Sequence, residues 1–304
     1  MMFLDDPLRY PASIRVMVFT TLRRRLLAIV IMVSCMVTAT CCADTLSLHA
    51  RSQVNTGNAE RPSFASKTET LNWEAKETAI VVCDMWDKHW CAGASERVAE
   101  MAPHMNQVLL RARAQGVLIV HCPSSVVDFY EGTPMRKLAQ EAPPVETTIP
   151  LKPWCHIDPS REPSLPIDDS DGGCDCDPAC QTRQAWTRQI DSIEIHEGDA
   201  ICDDAQAYFL MKQRGIRNVI VMGVHMNMCV LGRPFSIRQL VYQGQNVVFM
   251  RDLSDTMYNH RSSPYVDHFV ANRLVTMHIE RYWCPTITST DLTGKPAFGF
   301  NADK

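Results

Sequence analysis

Short apolar runs alternate with longer stretches of helical spacing through most of the chain. Residues 79–83, 117–120, 218–222 and 246–250 are brief, rich in β-branched side chains and bounded by turn residues. With so little polar alternation they predict strands buried on both faces, as in a parallel sheet. Residues 193–195 predict a further short strand and residues 284–289 a last, edge strand. Between these runs, residues 96–115 carry Val98, Met101, Met105, Val108, Leu109 and Ala112 at helical intervals. Pro103 lies inside that pattern and predicts a kink or a later start. Residues 205–214, 230–240 and 266–279 predict three more helices. Strand and helix in alternation imply a three-layer α/β/α sandwich with a mostly parallel, Rossmann-like sheet.

The pattern also sets the domain limits. Residues 76–290 read as one α/β domain. Residues 44–75 lack periodicity and read as a linker or wrapping arm. Residues 141–181 are Pro-rich and aperiodic, which marks a long looped insertion. Residues 291–304 read as a tail. At the start, Arg23 to Arg25 precede an apolar run over 26–37, too short to span a bilayer comfortably, and small residues follow up to Ala43. That order is the plan of a secretory signal over residues 1–43. It predicts an exported protein, periplasmic or extracellular, with no stable membrane span once the signal is cleaved.

Composition adds two constraints. The formal net charge of -4 over 304 residues offers no electrostatic case for nucleic acid. Thirteen cysteines are many for this length. Cys174, Cys176 and Cys180 cluster in the insertion. In an exported chain such a cluster favours disulfides, with Cys155 as a fourth member. A metal held by three thiolates is the alternative.

The candidate chemistry gathers at predicted strand ends, where ligands bind in open parallel sheets. Asp84 ends the first strand. Gly223 ends the central strand, and Cys229 follows six residues later at the start of a predicted helix. Backbone N–H groups converge at such a turn and favour a thiolate and a developing oxyanion. After Asp84 comes a loop dense in functional groups: Trp86, Asp87, Lys88, His89 and Trp90. Asp87, His89 and His121 are weak metal-ligand candidates, and an orienting or surface role suits Asp87 and His89 better. No cofactor is called for, and a metal stays open. Trp86, His89, His121, Phe129 and Tyr130 are candidates for lining a substrate pocket.

Three of these stretches carry a family resemblance: the strand ending in Asp84; the run from Gly215 to Gly223; and Cys229-Val230 opening a helix, with 244–248 and Asp252 downstream. Together they resemble the isochorismatase-like cysteine hydrolases, which include nicotinamidases and N-carbamoyl amidohydrolases. The resemblance implies a small-molecule substrate cleaved at an amide or related C–N bond through a thioester, and a homo-oligomer. It implies an Asp–Lys–Cys triad, with Asp84 and Cys229 in two of the places. It implies a cis peptide between Val224 and His225, and an oxyanion hole made by the amides of His225 and Cys229. The lysine is missing: the expected stretch has His196, Glu197, Gly198 and Asp199. Glu197 in that place raises the thiol pKa, and Lys88, His196 or His225 becomes the substitute cation. The same departure supports a second class, an altered or inactive envelope protein of this fold that binds a small ligand or a partner.

Overall fold

The computed structural model describes residues 44–303 apart from Ala59. The expected signal over 1–43, with Cys35, Cys41 and Cys42, lies outside the described residues. Eight strands form one sheet: β1 (Thr45–Asn55), β2 (Phe64–Glu74), β3 (Thr78–Cys83), β4 (Leu118–Cys122), β5 (Ala200–Ile201), β6 (Asn218–Val224), β7 (Asn246–Asp255) and β8 (Thr286–Ile287). Their order is β2-β1-β8-β7-β6-β3-β4-β5. From β8 to β5 every neighbouring pair is parallel. The β1–β2 and β1–β8 pairs are antiparallel.

The period of two along each strand divides the core into two layers. Ala79, Val81, Val219, Val221, Val247 and Phe249 face one side, where α3 (Gln206–Gln213), α4 (Cys229–Gly232), α5 (Ile237–Tyr242) and most of α6 (His268–Tyr282) pack. Ile80, Val82, Ile220, Met222, Val248 and Met250 face the other, against α1 (Ala92–Ala114). Two further helices are short: α2 spans Pro134–Gln140 and α7 spans Thr290–Thr293. The expected α/β/α sandwich is therefore present, and α1 runs through Pro103, which lies on its exposed face.

Four stretches differ from the sequence reading. Residues 45–74 are a long hairpin rather than an irregular linker, and Leu46, Leu48 and Ala50 bury one face of β1. Only this half of one strand alternates, which is why the pattern was faint. The hairpin covers β8, so the expected edge strand is interior. The C-terminal tail is docked: Phe300 is buried and packs on Phe269 at 5.3 Å. The helix expected over 230–240 breaks into α4 and α5 because Pro234 follows Arg233. Proline pushes its predecessor out of the helical region, and Arg233 has ψ 157°.

The long connection from α2 to β5 holds no helix and no strand, and it is tied down by side chains. Its Glu162, 2 % exposed, accepts from Arg238 Nε at 2.7 Å and from Trp283 Nε1 at 2.7 Å, and pairs with His278 at 2.7 Å. Burial works against the charge, but these partners hold the Glu162 carboxyl down at about 2. Glu162→Ala is expected to cost about 3–5 kcal/mol, because Arg238 is left buried without its anion. A carboxylate depressed in the fold stabilises above its unfolded pKa of about 4.3 and loses that contribution as pH falls towards 2. Urea titrations at pH 7 and pH 3 check both points: wild type loses stability over that interval, and Glu162→Gln loses less.

Candidate functional site

The adjacency of β3 and β6 brings two loops together at the carboxyl end of the sheet. Close approach requires Gly223: its φ is +112°, and a Cβ there would lie 2.1 Å from the Cys83 carbonyl oxygen. Asp84 leaves β3 with φ 49° and is fully buried. The Ser124 N–H donates to its Oδ1 at 2.7 Å. Its Oδ2 is buried and has no hydrogen-bond partner among the described residues. From the other side, the peptide between Val224 and His225 is cis, as the resemblance implied. The His225 carbonyl accepts from Met228 N at 3.0 Å and Val230 N at 3.2 Å, which turns the chain so that Cys229 opens α4. Since α4 is a single turn, its dipole is small, and the local N–H groups matter more than the extended helix expected from sequence.

Cys229 and Asp84 lie close enough for each to shift the other's protonation. Burial pushes the Cys229 thiol well above its usual value, and the neighbouring Asp84 pushes it further. Burial likewise raises the Asp84 carboxyl. One cation opposes both shifts: Arg233, which interacts with the thiol and with Asp84 and is itself raised by them. It is half-buried, and its guanidinium lies 5.7 Å from the ring of Trp154 in the insertion. The sequence reading missed Arg233. The available signal was its place four residues after Cys229 and just before Pro234.

An aromatic wall stands beside this group. Trp186 stacks on Trp86 at 4.6 Å and on His89 at 5.8 Å. His89 meets His225 edge-on at 5.1 Å. Burial, and then Arg97, lower His89 to about 4, and burial followed by His89 holds His225 well below its usual value. Both rings are therefore neutral at pH 7, so His225 is no substitute cation. Trp186, from the stretch between the insertion and β5, was not anticipated.

Several expected site residues lie elsewhere. Residues 193–195 form no strand; β5 is Ala200–Ile201, so 196–199 precede it instead of following it. Glu197 is exposed in a groove with Lys76, Arg113 and Gly116, and that groove contains neither Asp84 nor Cys229. His196 pairs with Glu194 at 2.7 Å. Lys88 is exposed. His121 is inside β4 and fully buried, bound to Gln189 at 3.0 Å and Asp199 at 3.1 Å, which makes it structural. Phe129 is exposed, and the hydroxyl of Tyr130 accepts from Gln189 N at 2.9 Å; both line a shallow groove with Arg188 and Ile195 that is separate from the thiol.

The weak metal candidates do not assemble. Asp87 accepts from Thr187 N at 2.9 Å and Thr187 Oγ1 at 2.6 Å, and His89 Nδ1 accepts from Cys91 N at 3.2 Å. The disulfide expectation fails on distance. The ten described cysteines are free, and Cys155 lies beside α4, where its N–H donates to the Gly232 carbonyl at 2.7 Å. The insertion's thiols instead meet Cys91, whose sulfur is 3.8 Å from that of Cys176, against about 2.05 Å in a disulfide.

No family model matches the chain, and no curated protein matches it. Among solved structures it is similar to a cysteine hydrolase from Pseudomonas syringae pv. phaseolicola, at 16% identity and a TM-score of 0.48, over 73% of this chain and 93% of that one. It is also similar to an isochorismatase from Pseudomonas putida KT2440, at 13% identity and a TM-score of 0.44, over 72% and 91%. A third is N-carbamoylsarcosine amidase from Thermoplasma acidophilum, at 11% identity and a TM-score of 0.37, over 70% and 96%.

Charge around the thiol sets its reactivity, and two variants should move it in opposite directions. Asp84→Asn removes the neighbouring anion and is expected to lower the pH midpoint of Cys229 alkylation by iodoacetamide. Arg233→Gln removes the cation and is expected to raise it. Mass-spectrometric alkylation rates across pH measure both.

Proposed function

We propose that the chain is a cysteine hydrolase that cleaves a small amide or related C–N bond. What carries the reading is the unpartnered Oδ2 of buried Asp84 beside the Cys229 thiol, with Arg233 against both. A carboxylate with a free oxygen next to a thiol is a built proton acceptor.

In the proposed reaction Asp84 takes the Cys229 proton as the sulfur attacks the carbonyl carbon. The oxyanion is held by the His225 and Cys229 N–H groups, neither of which donates to a protein carbonyl in the bonds that close this turn. Collapse breaks the C–N bond, and Asp84 returns the proton to the leaving amine. Water then attacks the thioester while Asp84 takes its proton. The acid leaves, and the sulfur recovers a proton from Asp84. Arg233 stabilises the anionic partners throughout. A guanidinium stays protonated at any working pH, so it supplies charge and no proton. Trp86, Trp186 and His89 supply a flat, weakly polar surface suited to a small planar substrate.

The test is ammonia or amine release from a panel of small amides and N-carbamoyl compounds. Cys229→Ala is expected to lose about 10³-fold or more, and Arg233→Gln on the order of 100-fold. Release by Cys229→Ala at the wild-type rate would discard the nucleophile. No release from any compound, with wild-type Cys229 inert to iodoacetamide, would leave a binding protein on this fold.

A further inference from the structure

Four thiols that take no part in this chemistry meet at the start of α1. Cys91 caps the helix, and Cys174, Cys176 and Cys180 come from the insertion. The sulfurs of Cys91, Cys174 and Cys176 all lie within 4.8 Å of one another. Cys180 packs against this group, and the Ala92 N–H donates to its sulfur at 3.5 Å. We infer that Cys91, Cys174, Cys176 and Cys180 form a structural zinc site that fastens the insertion to the wall of the active site.

Distance, shelter and donors each support this. In a tetrahedral site with Zn–S of about 2.3 Å, neighbouring sulfurs lie about 3.8 Å apart, and Cys91 and Cys176 are 3.8 Å apart. Four cysteines with no fifth ligand match the closed coordination of structural zinc, and thiolates are soft ligands that select it over calcium or magnesium. The spacing also fits: Cys174-x-Cys176-x3-Cys180 presents three sulfurs from one tight loop, and Cys91 adds a distant fourth. That loop can approach because Gly173 packs on the Met257 backbone, where a Cβ would lie 2.4 Å from the carbonyl oxygen. Trp90, Met228 and Met257 cover the cluster.

Four thiolates around a dication leave two negative charges, and main-chain donors at the helix start offset part of them. The Ala92 N–H donates to the Cys180 sulfur at 3.5 Å and the Gly93 N–H to the Cys176 sulfur at 3.4 Å, both at the positive end of a long helix. Such outer contacts orient thiolate ligands. Asp175, between two of the cysteines, is neutralised by Arg97 at 2.7 Å, and Arg97 is in turn held by Asp255 at 2.7 Å. The site therefore connects the insertion to the end of β7 and to the loop carrying His89 and Trp90. Binding displaces thiol protons and requires no redox partner.

Full-length wild type purified without added metal, reductant or chelator is the sample. Elemental analysis is expected to find about one zinc per chain, lost in Cys174→Ser/Cys176→Ser and kept in Cys155→Ser. Because the double variant can fail to fold, wild type is also titrated with a mercurial while released zinc is read with a chromogenic chelator. One zinc should leave as four thiols react, and cobalt exchanged into the site should show the ligand-field bands of tetrahedral sulfur coordination. Iron in place of zinc, no metal, or disulfides among these four cysteines in peptides mapped without reduction would overturn the inference.

Discussion

Two acidic groups cannot both ionise in an apolar hollow unless a cation shares it. Asp84 and Cys229 are in that position, and burial pushes both towards their neutral forms. Arg233 makes the arrangement tenable, because a guanidinium keeps its charge when half-buried. In the proposed reaction this pair exchanges one proton, which neither a lone buried thiol nor a lone buried carboxylate could do. The rest of the fold can be read as what is needed to bring these three groups together.

The sheet does most of that work. Adjacent parallel strands end at the same level, so β3 and β6 deliver Asp84 and the Cys229 turn to one place. Gly223 permits the close approach, and the break at Pro234 fixes the backbone of Arg233. The insertion is carried against this junction, with Trp154 beside Arg233 and the Cys155 N–H donating to the Gly232 carbonyl.

The insertion is integrated by polar contacts as well as by a few apolar ones, Ala142 and Ile167 being buried in the core. Glu162 anchors its middle to α5 and α6, Thr187 binds Asp87 just beyond its end, and its thiols gather on Cys91. Trp154 reaches the site from it, and Trp186 from the stretch that follows it. A segment without helix or strand has no backbone ladder to fix it, so buried ion pairs add to its few apolar anchors, as the proposed metal would.

Local sequence settled the features that depend on local pattern. Short apolar runs and period 3.6 placed most strands and helices, the strand ends pointed to Asp84, the Gly223-to-Cys229 spacing pointed to the thiol, and the family resemblance implied the cis peptide. Contacts distant along the chain were not legible. The missing lysine was sought in 196–199, but β5 forms at 200–201, a two-residue strand with no pattern to announce it. His121 looked like a pocket residue until Gln189 and Asp199 were seen to occupy both of its nitrogens. Arg233 lies only four residues from Cys229 and was missed despite that local signal, whereas the second tryptophan of the wall and the partner of the insertion's cysteines come from distant Trp186 and Cys91. Which of many arginines, tryptophans and cysteines meets a given group is decided by how layers and loops pack, because no periodicity in a chain encodes a meeting between residues some eighty positions apart, as Cys91 and Cys176 are.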